Sequence, residues 1–229
     1  MPRLARVVVP GVPHHVTQRG NRRQPVFFRA DDYAEYVRLL RAWCDKEKVQ
    51  VWAYCLMPNH VHLIAVPDKA DSLARALGES HRRYTRMVNF RKGWRGFLWQ
   101  GRFASFPLDD DYLLRAVRYV ELNPVRAKLV KRPEDYRWSS ARAHLNREPD
   151  PLLSPNRLQA EIADWREYLH QRLSESEVDE LRQHSRTGRP LGSRKFIARL
   201  EKKLLRPLLP QKRGPKGPHR RKQRARTKV

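Results

Sequence analysis

The stretch VQVWAYCLMPNHVHLIAV, residues 49–66, decides the fold. Two runs rich in β-branched and aromatic residues flank the pair Pro58-Asn59, the composition of an antiparallel hairpin with its turn at that pair. Alternation along the second run sends Val61, Leu63 and Ala65 to one side of the strand and His60, His62 and Ile64 to the other. Apolar packing claims the first set. The two imidazoles are therefore expected to look out from a face that no helix covers.

Upstream of the hairpin, VVVPGVPHHVTQRG reads as a β-rich opening and NRRQP as a basic loop. Tyr33, Tyr36, Val37, Leu40, Trp43 and Cys44 then recur at three- and four-residue spacing, predicting a helix whose positive end suits Asp31 and Asp32. Downstream, Asp71 or Ser72 stands where a second helix needs a cap, and Leu73, Ala76, Leu77, Tyr84, Met87 and Val88 form its apolar stripe. GFLWQGRFASFPL, residues 96–108, reads as a fourth strand. DDDYLLRAVRYVELNP, residues 109–124, reads as a third helix, opened by acids and closed before Pro124. The order β-α-β-β-α-β predicts an α+β class, ferredoxin-like (split βαβ): an antiparallel sheet with two helices on one face, plus an added helix.

The 229 residues suffice for one main domain and a smaller unit. Forty-nine Lys and Arg against 24 Asp and Glu give a formal charge of +25, which points to a polyanionic partner, nucleic acid first. No apolar run approaches the roughly 20 residues of a spanning helix, so no membrane role is expected. The opening MPRLARVVVPG lacks a signal peptide's long apolar region, and the expected location is cytoplasmic. Cys44 and Cys55 form no CxxC pair and read as small buried side chains.

Charge and composition divide the chain into residues 1–149, a helical region at 150–205 and a tail at 206–229. The tail carries ten Lys and Arg and no acid, and is expected to stay disordered until it meets a polyanion. In the helical region, SPNRLQAEIADWREYLHQRL reads as one helix, SESEVDELRQHS as another with Ser174 and Glu177 spaced as a capping box, and SRKFIARLEKKLL as a third. The connection RTGRPLG between the last two is longer than a helix-turn-helix turn, which favours packing on the main domain over DNA reading by residues 174–205.

Two features of the third helix matter for chemistry. Tyr119 and Asn123 are four residues apart and share a helix face, while Leu113, Val117 and Val120 supply the packing stripe without Tyr119. Three consecutive acids at 109–111 splay around a helix and cannot converge on one ion, so they read as a cap.

MPNHVHLIAV, WQGRF and YVELNPVRAKLV, in that order and spacing, resemble the REP-associated tyrosine transposases, relatives of the single-tyrosine HUH transposases. The likeness covers about residues 1–145, from HHVTQRGNRRQPVFF to YRWSSARAHL. It implies a catalytic domain over residues 1–149 in which His60 and His62 bind a divalent metal, Mg²⁺ or Mn²⁺, and Tyr119 is the nucleophile. Asn123 would complete the metal site, at a position where relatives commonly carry glutamine. The implied activity is cleavage and transfer of single-stranded or hairpin DNA at palindromic repeats through a covalent 5′-phosphotyrosine. No Walker-type loop occurs and no nucleotide cofactor is expected.

The residue types suit that chemistry. A phenol with pKa near 10 needs a nearby cation or base to become a nucleophile. An ion held by neutral imidazoles and an amide keeps its full charge and open positions for phosphate oxygens. For the DNA, HRRYTRMVNFRKGWRGFLWQGRF interleaves basic and aromatic residues. Arg82, Arg83, Arg86, Arg91 and Lys92 are phosphate candidates there, as are Arg19, Arg22 and Arg23 after the first strand; Tyr84, Trp94 and Phe97 are open to packing or stacking. Two rival readings are a repeat-binding protein without catalysis and a zinc protein using Cys55 with the histidines. The sequence leaves monomer and homodimer equally open.

Overall fold

A computed structural model describes residues 5–210. Strand β1 (His14–Arg19) is followed by helix α1 (Ala30–Lys46), the hairpin strands β2 (Val49–Met57) and β3 (His60–Pro67), helix α2 (Ser72–Lys92), strand β4 (Ala104–Pro107) and helix α3 (Asp110–Glu121). Six further helices follow: α4 (Asn123–Arg126), α5 (Ala141–Asn146), α6 (Leu158–Glu161), α7 (Trp165–His170), α8 (Glu175–Thr187) and α9 (Arg194–Leu204). The four strands lie in the order β2-β3-β1-β4, all pairings antiparallel. This is the split βαβ arrangement expected from the order of elements.

Each face of the sheet has its own core. Val16, Val61, Leu63 and Ala65 pack against α1 and α2 through Tyr36, Leu40, Leu73, Leu77, Tyr84 and Val88. The opposite face differs from the expectation: it is covered. Ala53, Cys55, Ile64 and Phe106 are buried beneath Leu113, Val117, Tyr119 and Val120 of α3, with Trp165 of α7 and Val178 and Leu181 of α8 behind them. The amphipathic α3 has one apolar stripe to bury, and the sheet's second apolar face is where that stripe meets a partner. His62 is consequently buried and His60 half-buried, not outward-looking.

Local chemistry departs from the sequence reading at several ends. Asp109 caps α3 by accepting from the Asp111 amide at 3.0 Å and also accepts from the Ser193 amide at 2.9 Å, which accounts for the acidic triplet without a metal. Neither Asp71 nor Ser72 caps α2 through its side chain; the Ser72 hydroxyl accepts instead from the Lys69 amide at 3.2 Å. Residues 96–103 stay outside the fourth strand apart from a lone bridge between Trp99 and Gly20. The single helix expected over 154–173 is two short ones, broken where Asp164 accepts from the Arg166 and Glu167 amides to start α7. Ser174 and Glu177 do form the expected capping box of α8. The tail expected to be disordered from residue 206 is packed at its start, where Leu208 is buried and its amide donates to Glu201 at 2.6 Å, and beyond Pro210 it lies outside the described residues.

Two buried histidines make the fold acid-sensitive. His14 donates Nδ1–H to the Val12 carbonyl at 2.7 Å and accepts from the Val9 amide at Nε2, 3.2 Å away, so a second proton has no place. Burial pushes His14 down to about 4 and His81, paired with the Tyr36 hydroxyl at 2.9 Å, down to about 3. Both folded values lie below the unfolded one near 6.5, so the unfolded chain binds protons first and stability falls as pH drops from 6.5 toward 4. From pH 7 to pH 5 these two contribute an expected loss on the order of 4 kcal/mol, to which the depressed His15, His60 and His62 add in the same direction, read from urea melts. A flat profile over that interval would show that these imidazoles are not held neutral.

Candidate active site

Register builds the site. Thr17 faces His62 and Arg19 faces His60 across β1 and β3, while Cys55 faces His62 and Met57 faces His60 across β2 and β3. His15, two residues before Thr17, therefore shares the face of His60 and His62. The three imidazoles cluster: His60 and His62 have centroids 4.8 Å apart and edge-on, and His62 lies side by side with His15, near-parallel at 10° with centroids 5.1 Å apart.

Helix α3 brings Tyr119 onto this cluster. Its ring meets His62 at 5.5 Å and 87° and His15 at 5.9 Å and 79°. The rotational setting of α3 is fixed two residues later: about 200° around the helix from Tyr119, Glu121 is buried and accepts at 2.6 Å from both Ser140 Oγ and His144 Nδ1. Ser140 in turn takes the Tyr54 amide of β2 at 3.0 Å. The segment YRWSSARAHL thus ties α3 to the sheet. Asn123 sits one turn beyond Tyr119, its amide nitrogen 3.3 Å from the Tyr119 carbonyl.

Hydrogen bonds decide which histidine nitrogens are free. Asn59 donates Nδ2–H to the Arg23 carbonyl at 3.0 Å, which turns its Oδ1 toward His60 Nδ1, 2.6 Å away. A carbonyl oxygen only accepts, so His60 carries its proton on Nδ1 and presents a bare Nε2. His62 Nδ1 lies 2.9 Å from His15 Nε2, and His62 Nε2 is buried without a hydrogen-bond partner. An orphaned buried imidazole nitrogen beside a second bare one fits a ligand pair for a divalent ion. Burial first, and Arg19 second, push His60 down to about 4, and burial, His60, His15 and Arg19 hold His62 well below the ordinary range. Both rings are neutral at pH 7, as ligands must be. Among the described residues no three His, Cys, Asp or Glu side chains converge to hold a metal, which removes the ligand set of the zinc reading. Cys44 and Cys55 are buried free thiols.

Three neighbours of Tyr119 were not singled out by sequence reasoning. Arg126 stands over the Tyr119 ring at 5.3 Å. Arg182 of α8, paired with Asp179 at 3.0 Å, is held above its usual range by Asp179 first and by the Tyr119 phenol it faces. His15 is the third; its alternation was readable, its register was not.

The expected phosphate contacts separate into groups. Arg19 lies on the site's own face opposite His60. Arg22 and Arg23 are exposed in the adjoining loop, both at positive φ. Gly20 ahead of them is required, since a Cβ there would lie 2.2 Å from the Gln24 carbonyl oxygen. Arg82, Arg83 and Arg86 are exposed on α2, across the sheet from Tyr119; Arg82 is paired with Glu79 at 2.6 Å. Lys92 is exposed over the Phe28 ring at 4.7 Å. Tyr84 is core, whereas Phe90, Trp94 and Phe97 are exposed.

Arg91 is a correction. It grips the fully buried Asp32 with both terminal nitrogens, one of them at 2.9 Å, and is a structural partner before it is a phosphate contact. Burial works to raise the Asp32 carboxyl, and the Arg91 hydrogen bond with the Phe28 and Arg29 amides outweighs it. Arg91→Ala strands that carboxylate and is expected to cost about 3 kcal/mol or more in urea melts. Unchanged stability with weakened DNA binding would return Arg91 to the DNA surface.

Comparison with known proteins bears on the family and the fold. The family model described as "Transposase IS200 like" matches residues 9–123, which include every element from β1 to α3. A curated Haemophilus influenzae protein, whose name places it among the REP-associated tyrosine transposases, is 25% identical over 124 residues, 49% of this chain and 70% of that one. A solved structure of the REP-associated tyrosine transposase bound to a REP hairpin superposes with a TM-score of 0.55 at 20% identity, covering 68% of this chain and 93% of that one. Among the described residues no helix is long and apolar enough to cross a membrane.

Proposed function

The chain belongs to the IS200-like transposase family, and from that membership we propose that it cuts and rejoins single-stranded DNA at palindromic repeat hairpins, using Tyr119 as nucleophile. The observation that carries the reading is the seating of the Tyr119 ring against His62, 5.5 Å away, beside two imidazoles with unengaged Nε2 atoms. His60 and His62, with Asn123 one helical turn from the tyrosine, would hold Mg²⁺ or Mn²⁺. Such an ion supplies positive charge that polarises a phosphoryl oxygen and steadies charge as it develops there.

The chain's own groups carry the rest. Arg126 stands over the Tyr119 ring and Arg182, paired with Asp179, faces its phenol, so both are placed to meet the negative charge of the scissile phosphate. The Tyr119 oxygen forms a bond to phosphorus as the bond to the 3′-oxygen breaks, and the departing oxygen takes up a proton. A 5′-phosphotyrosyl link and a free 3′-hydroxyl result, with no water consumed. Attack by a 3′-hydroxyl reverses the step onto the same or another strand, so transfer needs no nucleotide cofactor. Burial of Tyr119 and His62 keeps the phenol from bulk solvent until a strand enters.

Arg19, Arg22 and Arg23 would follow the strand's phosphates at the site. The α2 arginines meet DNA only where it reaches the other side of the sheet. Exposed Phe90, Trp94 and Phe97 with Lys92 offer faces for base stacking. Residues 1–149 carry the chemistry in this reading, 150–205 add Arg182 and cover the sheet, and 206–229 add backbone affinity for DNA in the cytoplasm.

Incubation of the chain with a single-stranded repeat hairpin and Mg²⁺ or Mn²⁺, followed by a denaturing gel, tests this. A covalent, metal-dependent protein–DNA adduct is expected. Tight, salt-sensitive binding with no adduct would instead identify a repeat-binding protein without catalysis.

A further inference from the structure

We propose that His15 is a positioning residue: by accepting a hydrogen bond from His62 Nδ1, it fixes the His62 tautomer that leaves Nε2 bare toward the ion. The inference rests on the reading of His60 and His62 as metal ligands, and it concerns a residue outside that ligand set.

The geometry is specific. His15 Nε2 and His62 Nδ1 are 2.9 Å apart, and His15 is fully buried. One proton lies between the two nitrogens, and two arrangements are open. If His15 donates, His62 keeps its own proton on Nε2, and that nitrogen cannot bind a cation. If His62 donates, its Nε2 carries a lone pair and His15 carries its proton on Nδ1. That Nδ1 is buried without a partner just as His62 Nε2 is, so a cation at His62 Nε2 is what the second arrangement has in its favour. Only the second arrangement matches the bare Nε2 that Asn59 enforces on His60. Asn59 thus does for His60 what a carbonyl does around metal-bound histidines elsewhere, and His15, with its lone pair turned to Nδ1–H, would do the same for His62.

Packing keeps His15 in place for this task. Phe106 meets its ring edge-on at 5.2 Å and 86°, and Tyr119 meets it at 5.9 Å and 79°, while His62 lies beside it in a near-parallel plane. These contacts hold the ring plane, so Nε2 stays aimed at His62. Without an acceptor, the His62 Nδ1–H would be a buried unpaired donor, and the ring would shift its proton to Nε2. Metal affinity would fall even with both ligands present.

The test uses the full chain with Mn²⁺ alone as probe. Long-range ¹⁵N–¹H correlation on the metal-free protein reports the His62 tautomer, and Mn²⁺ titration followed by electron paramagnetic resonance reports affinity. The proton on Nδ1 of His62 is expected in the wild type. His15→Leu should weaken Mn²⁺ binding by about 10- to 100-fold and move the His62 proton to Nε2. His15→Gln, whose carbonyl can accept from Nδ1–H, should recover most of the affinity. A wild-type His62 protonated on Nε2, or His15→Leu with unchanged Mn²⁺ affinity, would overturn the role of His15. Failure of the parent reading looks different: Mn²⁺ affinity would then be unaltered by His62→Ala itself, and the tautomer measurement on the wild type would still decide for or against His15.

Discussion

Tyr119→Phe is expected to abolish the denaturant-resistant adduct, with cleavage reduced about 10⁴-fold or more, while hairpin binding persists. The substitution removes one oxygen and keeps the ring that packs on His62 and His15. The fold should lose at most about 1 kcal/mol, since only the hydroxyl facing Arg182 is removed. Binding persists because the cations that meet phosphates, Arg19, Arg22 and Arg23, are untouched. A Phe variant that still forms adduct would transfer the nucleophile's role to another residue.

Loss of either histidine should be nearly as severe, for a different reason. His60→Ala and His62→Ala are expected to lower cleavage about 10³-fold or more, the equivalent of several kcal/mol of charge stabilisation at the phosphate. The two should differ in stability. His62 is buried and its removal leaves His15 Nε2 unpaired, at about 1–3 kcal/mol, whereas His60 is half-buried and its Asn59 partner stays anchored to the Arg23 carbonyl. Gel assays over a Mn²⁺ titration, paired with urea melts, separate the two effects. Cleavage by His62→Ala at the wild-type rate, insensitive to a chelator, would show that no ion at these residues takes part.

Much of this architecture is legible in the chain. Period-two alternation in residues 49–66 and three-four spacing in residues 33–44 and 73–88 are strong signals because one face of each element must leave water. Alternation also sorted Val61 from His62 correctly. It could not say what lies over the histidine side, because the docking place of α3 depends on the Glu121–His144–Ser140 tie, formed between residues about 20 apart in sequence. The outward-looking histidines were expected for that reason, and they are covered. The break after α6 had a readable cause in Asp164, an N-cap inside an otherwise helical pattern.

At the site, the histidine pair and Tyr119 were expected from the family resemblance, and the structure brings their rings together. The pairing of Arg91 with Asp32 was not foreseen because a basic run gives no hint of a buried acid 59 residues earlier. His15, Arg126 and Arg182 escaped notice for a related reason: each reaches the site through tertiary contact, one by strand register, one after α3 and one from α8. Side chains that support reacting groups leave weaker traces in sequence than the groups themselves.

Mass spectrometry on the adduct is the most direct measurement. After reaction with hairpin DNA in Mn²⁺, digestion with nuclease and protease should leave a nucleotide on one peptide, attached through its 5′-phosphate to Tyr119. A nucleotide found on any other side chain, or a DNA cut whose 5′ end is free, would contradict a reaction centred on this phenol.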